Sequence, residues 1–136
     1  MMDIKIALVG QPNTGKSSLL NSLAGARAIV SNYPGTTVEI TKTKIKMDTS
    51  LIEIMDTPGV YSIFDASSEE IIVEKVVFEE DIDGSVIMVD ATVLERGLNL
   101  VLQILEAGVT AIIVLNSLEL YRASRYHVQS CRLNRQ

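Results

Sequence analysis

The sequence predicts an α/β domain in which helices cover both faces of a mostly parallel sheet. The first observation is that short apolar runs, typical of buried strands, alternate along the 136 residues with segments whose leucines have helical spacing. The second is that these runs end at Gly10, Asp56, Asp90 and Asn116. Ligands of such sheets bind at the carboxyl ends of the strands. We therefore expect one domain with a ligand site at this edge of the sheet.

The first strand and helix flank a glycine-rich turn. A strand is predicted at about 5–9 and a helix at about 16–24, which Gly25 would end. The turn fits the G-x-x-x-x-G-K-[ST] pattern with the residues Gly10-Gln11-Pro12-Asn13-Thr14-Gly15-Lys16-Ser17. Its backbone N–H groups and the helix dipole form an anion site, Lys16 can reach the β- and γ-phosphates, and Ser17 can bind Mg²⁺. A chance glycine turn is the alternative, but the flanking strand and helix favour a three-layer P-loop NTPase fold.

The next segment is predicted as a loop followed by a hairpin. Residues 26–37 lack periodicity and contain a Ser-Asn-Tyr-Pro-Gly turn. Residues 38–47 alternate apolar and polar side chains, and form the one antiparallel strand of the predicted sheet, paired with a strand at 51–55. Thr36 and Thr37 lie at the end of the loop, where a threonine hydroxyl can complete a Mg²⁺ shell and sense the γ-phosphate. The alternative is a threonine that only begins the strand.

A second phosphate-site candidate, Asp56-Thr57-Pro58-Gly59, follows the hairpin. A carboxylate at this strand end can hold Mg²⁺ opposite Ser17, and the N–H of Gly59 can reach the γ-phosphate. The alternative is a plain turn. Val60 stands where some GTPases place a water-orienting glutamine, and valine cannot hydrogen-bond water. We therefore expect slow intrinsic hydrolysis unless a partner or a monovalent cation contributes.

Two further helices and two further strands complete the predicted sheet. A capping box formed by Ser67 and Glu70 predicts a helix at about 68–80. The apolar run 85–89 predicts a buried strand, and leucines at helical spacing predict a helix at about 92–107 that ends at Gly108. Residues 109–115 predict another buried strand.

The segment Asn116-Ser117-Leu118-Glu119 follows that strand. Guanine-nucleotide-binding proteins carry Asn-Lys-x-Asp here, and its carboxylate accepts two hydrogen bonds from the guanine edge. Glu119 has a longer side chain, which displaces the carboxylate by about one ångström and weakens a bidentate contact. The alternative is a helix-capping Asn116 and a solvated Glu119.

Composition narrows the function classes. No apolar run could cross a membrane, no signal peptide is visible, and Cys131 alone cannot form an internal disulfide. We expect a soluble, cytoplasmic chain. The net charge of −5 argues against nucleic-acid binding. Charge is uneven, however, because residues 116–136 contain four arginines and one glutamate, whereas residues 1–115 contain 8 basic and 16 acidic side chains.

These motifs, in this order, resemble TRAFAC-class GTPases. Four stretches resemble more specifically the GTPase (G) domain of the ferrous iron transport protein B (FeoB) family, and the resemblance covers about residues 3–119. It implies a GTPase domain on the cytoplasmic face of a membrane permease that takes up Fe²⁺, with GTP or GDP, Mg²⁺ and, in potassium-stimulated members, K⁺ as ligands. The stretches are residues 10–21, Asn32-Tyr-Pro-Gly-Thr-Thr-Val-Glu39, Asp56-Thr-Pro-Gly-Val-Tyr-Ser62 and Asp90-Ala-Thr-Val-Leu-Glu-Arg-Gly-Leu-Asn-Leu100.

The resemblance also implies roles for residues. Catalysis would fall to Lys16, Thr37 and Gly59, and Mg²⁺ to Ser17, Thr37 and Asp56. Asn13 matches an asparagine that helps to hold K⁺, although turn chemistry also explains an asparagine there. The implied nucleotide-binding set is Gly10, Gln11, Pro12, Asn13, Thr14, Gly15, Lys16, Ser17, Ser18, Gly35, Thr36, Thr37, Asp56, Thr57, Pro58, Gly59, Asn116 and Glu119.

The carboxyl-terminal part departs from the pattern. The last strand and helix of a full G domain are not recognisable, and residues 120–136 show no resemblance. We therefore predict an incomplete GTPase domain at 1–119 and an atypical basic tail at 120–136, as a truncation or a change of reading frame near residue 117 would produce. One alternative function is a non-catalytic or partner-dependent nucleotide-binding module with weakened guanine selectivity. Another is a ribosome-associated GTPase, which the acidic body disfavours.

Overall fold

The computed structural model of the protein describes residues 2–23, 28–78 and 80–116. Within these ranges the secondary structure alternates along the chain much as the apolar pattern predicts. The elements are β1 (Met2–Gly10), α1 (Lys16–Leu23), β2 (Ala28–Asn32), β3 (Glu39–Met47), β4 (Ser50–Asp56), α2 (Ser68–Phe78), β5 (Gly84–Asp90), a 3₁₀ turn (Ala91–Val93), α3 (Leu94–Glu106) and β6 (Ala111–Asn116).

The six strands form one sheet in the order β2-β3-β4-β1-β5-β6. Strand β1 is central and runs parallel to both β4 and β5, and β5 runs parallel to β6. Strand β3 is antiparallel to both of its neighbours. This arrangement confirms a mostly parallel α/β sheet with an antiparallel strand at about 38–47. It also brings the carboxyl ends of β1, β4, β5 and β6 to the same end of the sheet.

Strand β2 corrects the prediction of a continuous loop at 26–37. Ala28–Asn32 pairs with β3 along its whole length, with Val30 opposite Thr41. All five of its residues are exposed, including Ile29 and Val30 at 67% and 59%. An edge strand with neither face covered has no reason to alternate apolar and polar residues, so periodicity cannot reveal it. The backbone ladder to β3 holds it instead.

Helix termini follow the predicted capping signals with small shifts. The capping box at α2 is formed as expected, since the Glu70 amide donates to Ser67 Oγ and the Ser67 amide donates to Glu70 Oε2, both over 3.3 Å. Helix α2 ends at Phe78, two residues before the predicted end. The third predicted helix begins as a 3₁₀ turn because the Asp90 carboxylate accepts the Thr92 amide over 2.9 Å.

Alternating residues in the second half of β1 face two apolar layers, which explains why residues 6–9 are all hydrophobic. Ala7 and Val9 pack with buried residues of α2 and α3, whereas Leu8 packs with Leu20 of α1 on the other face. The result is the predicted three-layer arrangement of helix, sheet and helix. None of the helices within the described ranges has the length and hydrophobicity that a membrane span requires.

Candidate nucleotide-binding site

The glycine-rich turn between β1 and α1 has the backbone of an anion cradle. Asn13 and Gly15 have positive φ values of 62° and 91°. The Thr14 hydroxyl donates to the Gln11 carbonyl over 2.9 Å inside the turn. Left-handed residues alternating with ordinary ones gather successive N–H groups into a concavity that suits phosphate. The positive φ of Asn13 also agrees with the turn role that asparagine often has.

The segment after β4 lies directly against this turn. The Thr57 amide and hydroxyl both donate to the Leu8 carbonyl, over 3.1 and 2.9 Å, and the Val60 amide donates to the Gly10 carbonyl over 3.0 Å. A Cβ added at Gly59 would lie 2.7 Å from Pro12 Cα. Position 59 therefore accepts no side chain in this arrangement. The structure thus brings together the two phosphate-site candidates, which 38 residues separate in the sequence.

Burial perturbs the two charged groups of the site. Desolvation lowers the pKa of Lys16 below its ordinary value, and the nearby Asp56 charge opposes that shift. Desolvation likewise raises the pKa of Asp56, and the Lys16 charge opposes it. For both groups the loss of water outweighs the attraction between them. Each side chain would gain from a further charged ligand of the opposite sign.

A polar cleft of about 210 Å³ opens beside Asp56. Asp56 Oδ1 and Thr43 Oγ1 are buried and have no hydrogen-bond partner among the described residues. Both residues line the cleft, as does Ser17 from the start of α1. Buried oxygens without partners are costly in a folded protein unless water or a cation satisfies them. The cleft therefore offers oxygen atoms of the kind that bind a hydrated hard cation.

The two candidate threonines, adjacent in the loop before β3, have different surroundings. Thr36 Oγ1 donates to the Tyr33 carbonyl over 2.8 Å and accepts the Val38 amide over 3.2 Å. Its hydroxyl is therefore engaged within the turn, which also contains Gly35 at a φ of 77°. Thr37 is exposed. Of the two residues, Thr37 is the one whose side chain lies outside these turn contacts.

Asn116 contacts the glycine-rich turn, which the sequence does not reveal. Its Nδ2 atom donates to the Thr14 carbonyl over 2.8 Å, and a Cβ added at Gly15 would clash with that amide. The carboxyl end of β6 thus braces the cradle across 102 residues of sequence. Glu119, His127 and Cys131 lie outside the described residues.

Val60 does not face the cleft. Its side chain is 3% exposed and belongs to the main apolar core, together with the fully buried Ile63. The remaining residues of the implied nucleotide set lie on the same two segments: Gln11 and Thr57 are buried, Pro58 is half-buried, and Pro12 and Ser18 are exposed.

Sequence reasoning also misses two polar contacts that hold these loops from outside. Gln103 of α3 accepts the Ile63 amide over 3.0 Å and lies 3.1 and 3.2 Å from Ser62 Oγ. The Tyr33 hydroxyl donates to Glu80 Oε1 over 2.9 Å. The positions of these residues carry no motif, since each contact joins elements that are more than 35 residues apart in the chain.

The sequence is similar to iron-transport proteins over most of its length. A model of the family described as Ferrous iron transport protein B matches residues 4–136. The Fe(2+) transporter FeoB of Methanocaldococcus jannaschii is 42% identical over 108 residues, which are 79% of this chain and 16% of that protein. The Fe(2+) transporter FeoB of Synechocystis is 35% identical over 125 residues, 92% of this chain and 20% of that protein. The chain therefore spans about a fifth or less of the length of these relatives.

Solved structures of the same family share the fold. The G domain of the T. maritima FeoB iron transporter superimposes with a TM-score of 0.84 at 33% identity, covering 88% of this chain and 76% of that one. A GDP-bound mutant of the S. thermophilus FeoB G-domain gives 0.81 at 37% identity, covering 90% and 46%.

The family match bears on the carboxyl-terminal segment as well. It continues through residue 136, so the expectation that the resemblance ends near residue 119 is wrong. Residues 117–136 lie outside those that the structure describes, and a boundary between domain and tail at 119 stays a prediction. Motif, fold and sequence comparison agree that this chain belongs to the ferrous iron transport protein B family and has the fold of its G domain.

Proposed function

We propose that this chain binds and slowly hydrolyses GTP, and that its nucleotide state regulates the Fe²⁺ permease to which such a domain is joined at the cytoplasmic face of the membrane. The observation that carries the proposal is the contact of the Asp56–Gly59 segment with the glycine-rich turn, which forms one site from two strand ends. The GDP-bound G-domain relatives support a guanine nucleotide as its ligand. The membrane permease is a proposal from family membership, whereas the domain boundary at 119 is a proposal from the sequence pattern alone.

In this reaction a water attacks the γ-phosphorus in line while the bond to the β–γ bridging oxygen breaks, and GDP and phosphate leave. The chain contributes positioning and charge rather than covalent chemistry. Lys16, Thr37 and Gly59 are the residues we assign to this step: the Lys16 ammonium and the Gly59 N–H stabilise the negative charge that the phosphate oxygens carry, and Thr37 senses the γ-phosphate. The partly buried Lys16 suits this role because a desolvated cation gains more from phosphate than a hydrated one.

The donor set fits Mg²⁺. Ser17, Thr37 and Asp56 offer the oxygen ligands that this ion prefers, and the unpartnered Asp56 Oδ1 in the polar cleft supports the assignment. Mg²⁺ would neutralise charge on the β- and γ-phosphates. Asn13 offers an exposed amide on the glycine-rich turn, and we assign it as a residue that would help to hold K⁺.

Guanine recognition is assigned to Asn116 and Glu119. The Asn116 amide already braces the turn, and Glu119 follows three residues later. A second candidate function is nucleotide binding without turnover, with weakened guanine selectivity. The burial of Val60 favours it, because the residue after Gly59 offers no polar group to orient a water.

Phosphate release from GTP, measured with the purified chain in Mg²⁺ and K⁺ buffer, tests turnover. We expect slow release, and at least about a hundredfold loss in Lys16→Ala, which removes the cation from the phosphates. Lys42→Ala on the exposed face of β3 is the matched control and should leave the rate unchanged. GTP binding without release in the unmodified chain would reject the GTPase and favour the non-catalytic module.

A further inference from the structure

The loop after β4 is held at three points, and only one of them belongs to the glycine-rich turn. Thr57 bonds to the Leu8 carbonyl and Val60 to the Gly10 carbonyl. The third point is Ile63, whose amide donates to Gln103 Oε1 of α3 over 3.0 Å. Gly59 lies between the first two points, and two residues separate Val60, the second point, from Ile63, the third.

Residues 62–64 of this loop form hydrogen bonds with a helix through one side chain, Gln103, within the described ranges. Its amide also lies 3.1 and 3.2 Å from Ser62 Oγ, and Ser62 Oγ in turn accepts the Phe64 amide over 3.2 Å. Ile63 is fully buried. Losing Gln103 would therefore leave a peptide N–H near the core without its acceptor, which is a strong reason for the loop to rearrange.

We propose that Gln103 is a positioning residue that presents Gly59 to the γ-phosphate by fixing the Ser62–Ile63 end of the loop to α3. The side chain does not touch nucleotide and acts through the loop alone. Because Gly59 already packs against Pro12 with no space for a Cβ, a small displacement of the loop moves its N–H relative to the phosphate cradle. The inference rests on the proposed function, since it concerns the contact that distinguishes GTP from GDP.

This role separates two kinds of nucleotide contact. The cradle formed by the glycine-rich turn does not depend on Gln103, so GDP binding should survive its replacement. The γ-phosphate contact and the hydrolysis step should not. A merely structural role for Gln103 would instead lower the affinities for both nucleotides together, along with the melting temperature.

The test compares three variants of the full chain. Gln103→Leu keeps approximately the side-chain volume and removes the acceptor. Gln103→Glu keeps an acceptor for the Ile63 amide and for the Ser62 hydroxyl, and serves as the conservative rescue. Glu106→Gln, on an exposed position of the same helix, is the control. The readouts are kcat and KM for GTP, and the affinities for GDP and for a non-hydrolysable GTP analogue.

We expect Gln103→Leu to lower kcat and the affinity for the GTP analogue by about tenfold, since small misplacements of catalytic groups have effects of this size or larger. GDP affinity should change by less than about twofold, and Gln103→Glu should recover most of the loss. Ser62→Ala should shift the same quantities in the same direction by a smaller factor, and it provides the test if Gln103→Leu fails to fold.

Two results would overturn the inference while leaving the proposed function intact. In the first, the unmodified chain hydrolyses GTP and Gln103→Leu hydrolyses it at the same rate. In the second, Gln103→Leu loses as much affinity for GDP as for the GTP analogue. An unmodified chain that binds neither nucleotide would overturn the proposed function first, and this inference with it.

Discussion

At the scale of single residues, burial disfavours the charged forms of Lys16 and Asp56 at the site. Asp56 is partly buried and one of its oxygens has no hydrogen-bond partner among the described residues, and Lys16 is partly buried with its pKa lowered. Neither arrangement favours folding of the nucleotide-free chain. The phosphate and the cation proposed above would make both arrangements favourable, as expected where charged groups are buried to serve a ligand rather than to stabilise the empty domain.

Replacing Asp56 and measuring stability as a function of pH tests the cost of burying its carboxylate. The folded-state pKa of Asp56 is raised above its ordinary value of 3.8 because burial disfavours the carboxylate. The folded state then binds the proton more tightly than the unfolded state, so the group lowers stability above the raised pKa, and this penalty disappears as pH falls below the unfolded value. We expect Asp56→Asn to be more stable than the unmodified chain near neutral pH without nucleotide or Mg²⁺, and the difference to shrink as pH falls through that window.

Denaturant unfolding at a series of pH values measures the effect. Asp65→Asn, an exposed carboxylate in the loop before α2, is the matched control and should change stability by less than about 0.5 kcal/mol. A pH-independent difference for Asp56→Asn, or a loss of stability near neutral pH, would contradict the assignment of burial as the dominant cause.

At the scale of elements, helix α2 links the two loops of the site. It begins just after the Gly59 loop, at the Ser67–Glu70 capping box, and Glu80, two residues past its end, accepts the Tyr33 hydroxyl from the other loop. Buried residues of α2, including Val73 and Val76, hold it against the sheet. Helix α2 therefore connects a contact with one loop at its start to a contact with the other loop just past its end.

Removing the cap measures what α2 contributes. We expect Ser67→Ala to lower the free energy of unfolding by about 1 kcal/mol, since the side chain satisfies the Glu70 amide that would otherwise lack an acceptor. The adjacent Ser68→Ala is the control and should have a smaller effect, because within the described part of the chain Ser68 Oγ bonds only to the exposed Glu69 carboxylate. Equal losses in the two variants, measured by denaturant unfolding, would show that the capping box does not stabilise α2.

Features that depend on neighbouring residues could be predicted from the sequence, whereas contacts between distant residues could not. The glycine-rich turn, the Asp56 strand end and the Ser67 cap are local patterns, and the structure places each where the pattern indicates. Strand β2 leaves no pattern because all of its residues are exposed. The bond from Asn116 to Thr14 and the anchor at Gln103 join residues that are 102 and 40 positions apart, and only tertiary packing decides such pairs.

At the scale of the whole molecule, one sheet gathers strand ends from the entire described chain around one cradle. The carboxyl ends of β1, β4 and β6 meet there, through Gly10, Asp56 and Asn116. Such convergence is the usual basis of a ligand site in an α/β sheet. The related G domains share this fold over most of this chain.

The most direct measurement is calorimetric titration of the full chain with GDP and then with ADP, in buffer containing Mg²⁺ and K⁺. We predict that GDP binds at least about tenfold more tightly than ADP, a difference of about 1.4 kcal/mol, which is the preference expected if the Asn116–Glu119 segment recognises the guanine edge as proposed. Glu119→Ala should remove the preference and leave the phosphate contacts. Equal affinities for GDP and ADP, or binding of neither, would contradict a guanine-nucleotide site in this chain.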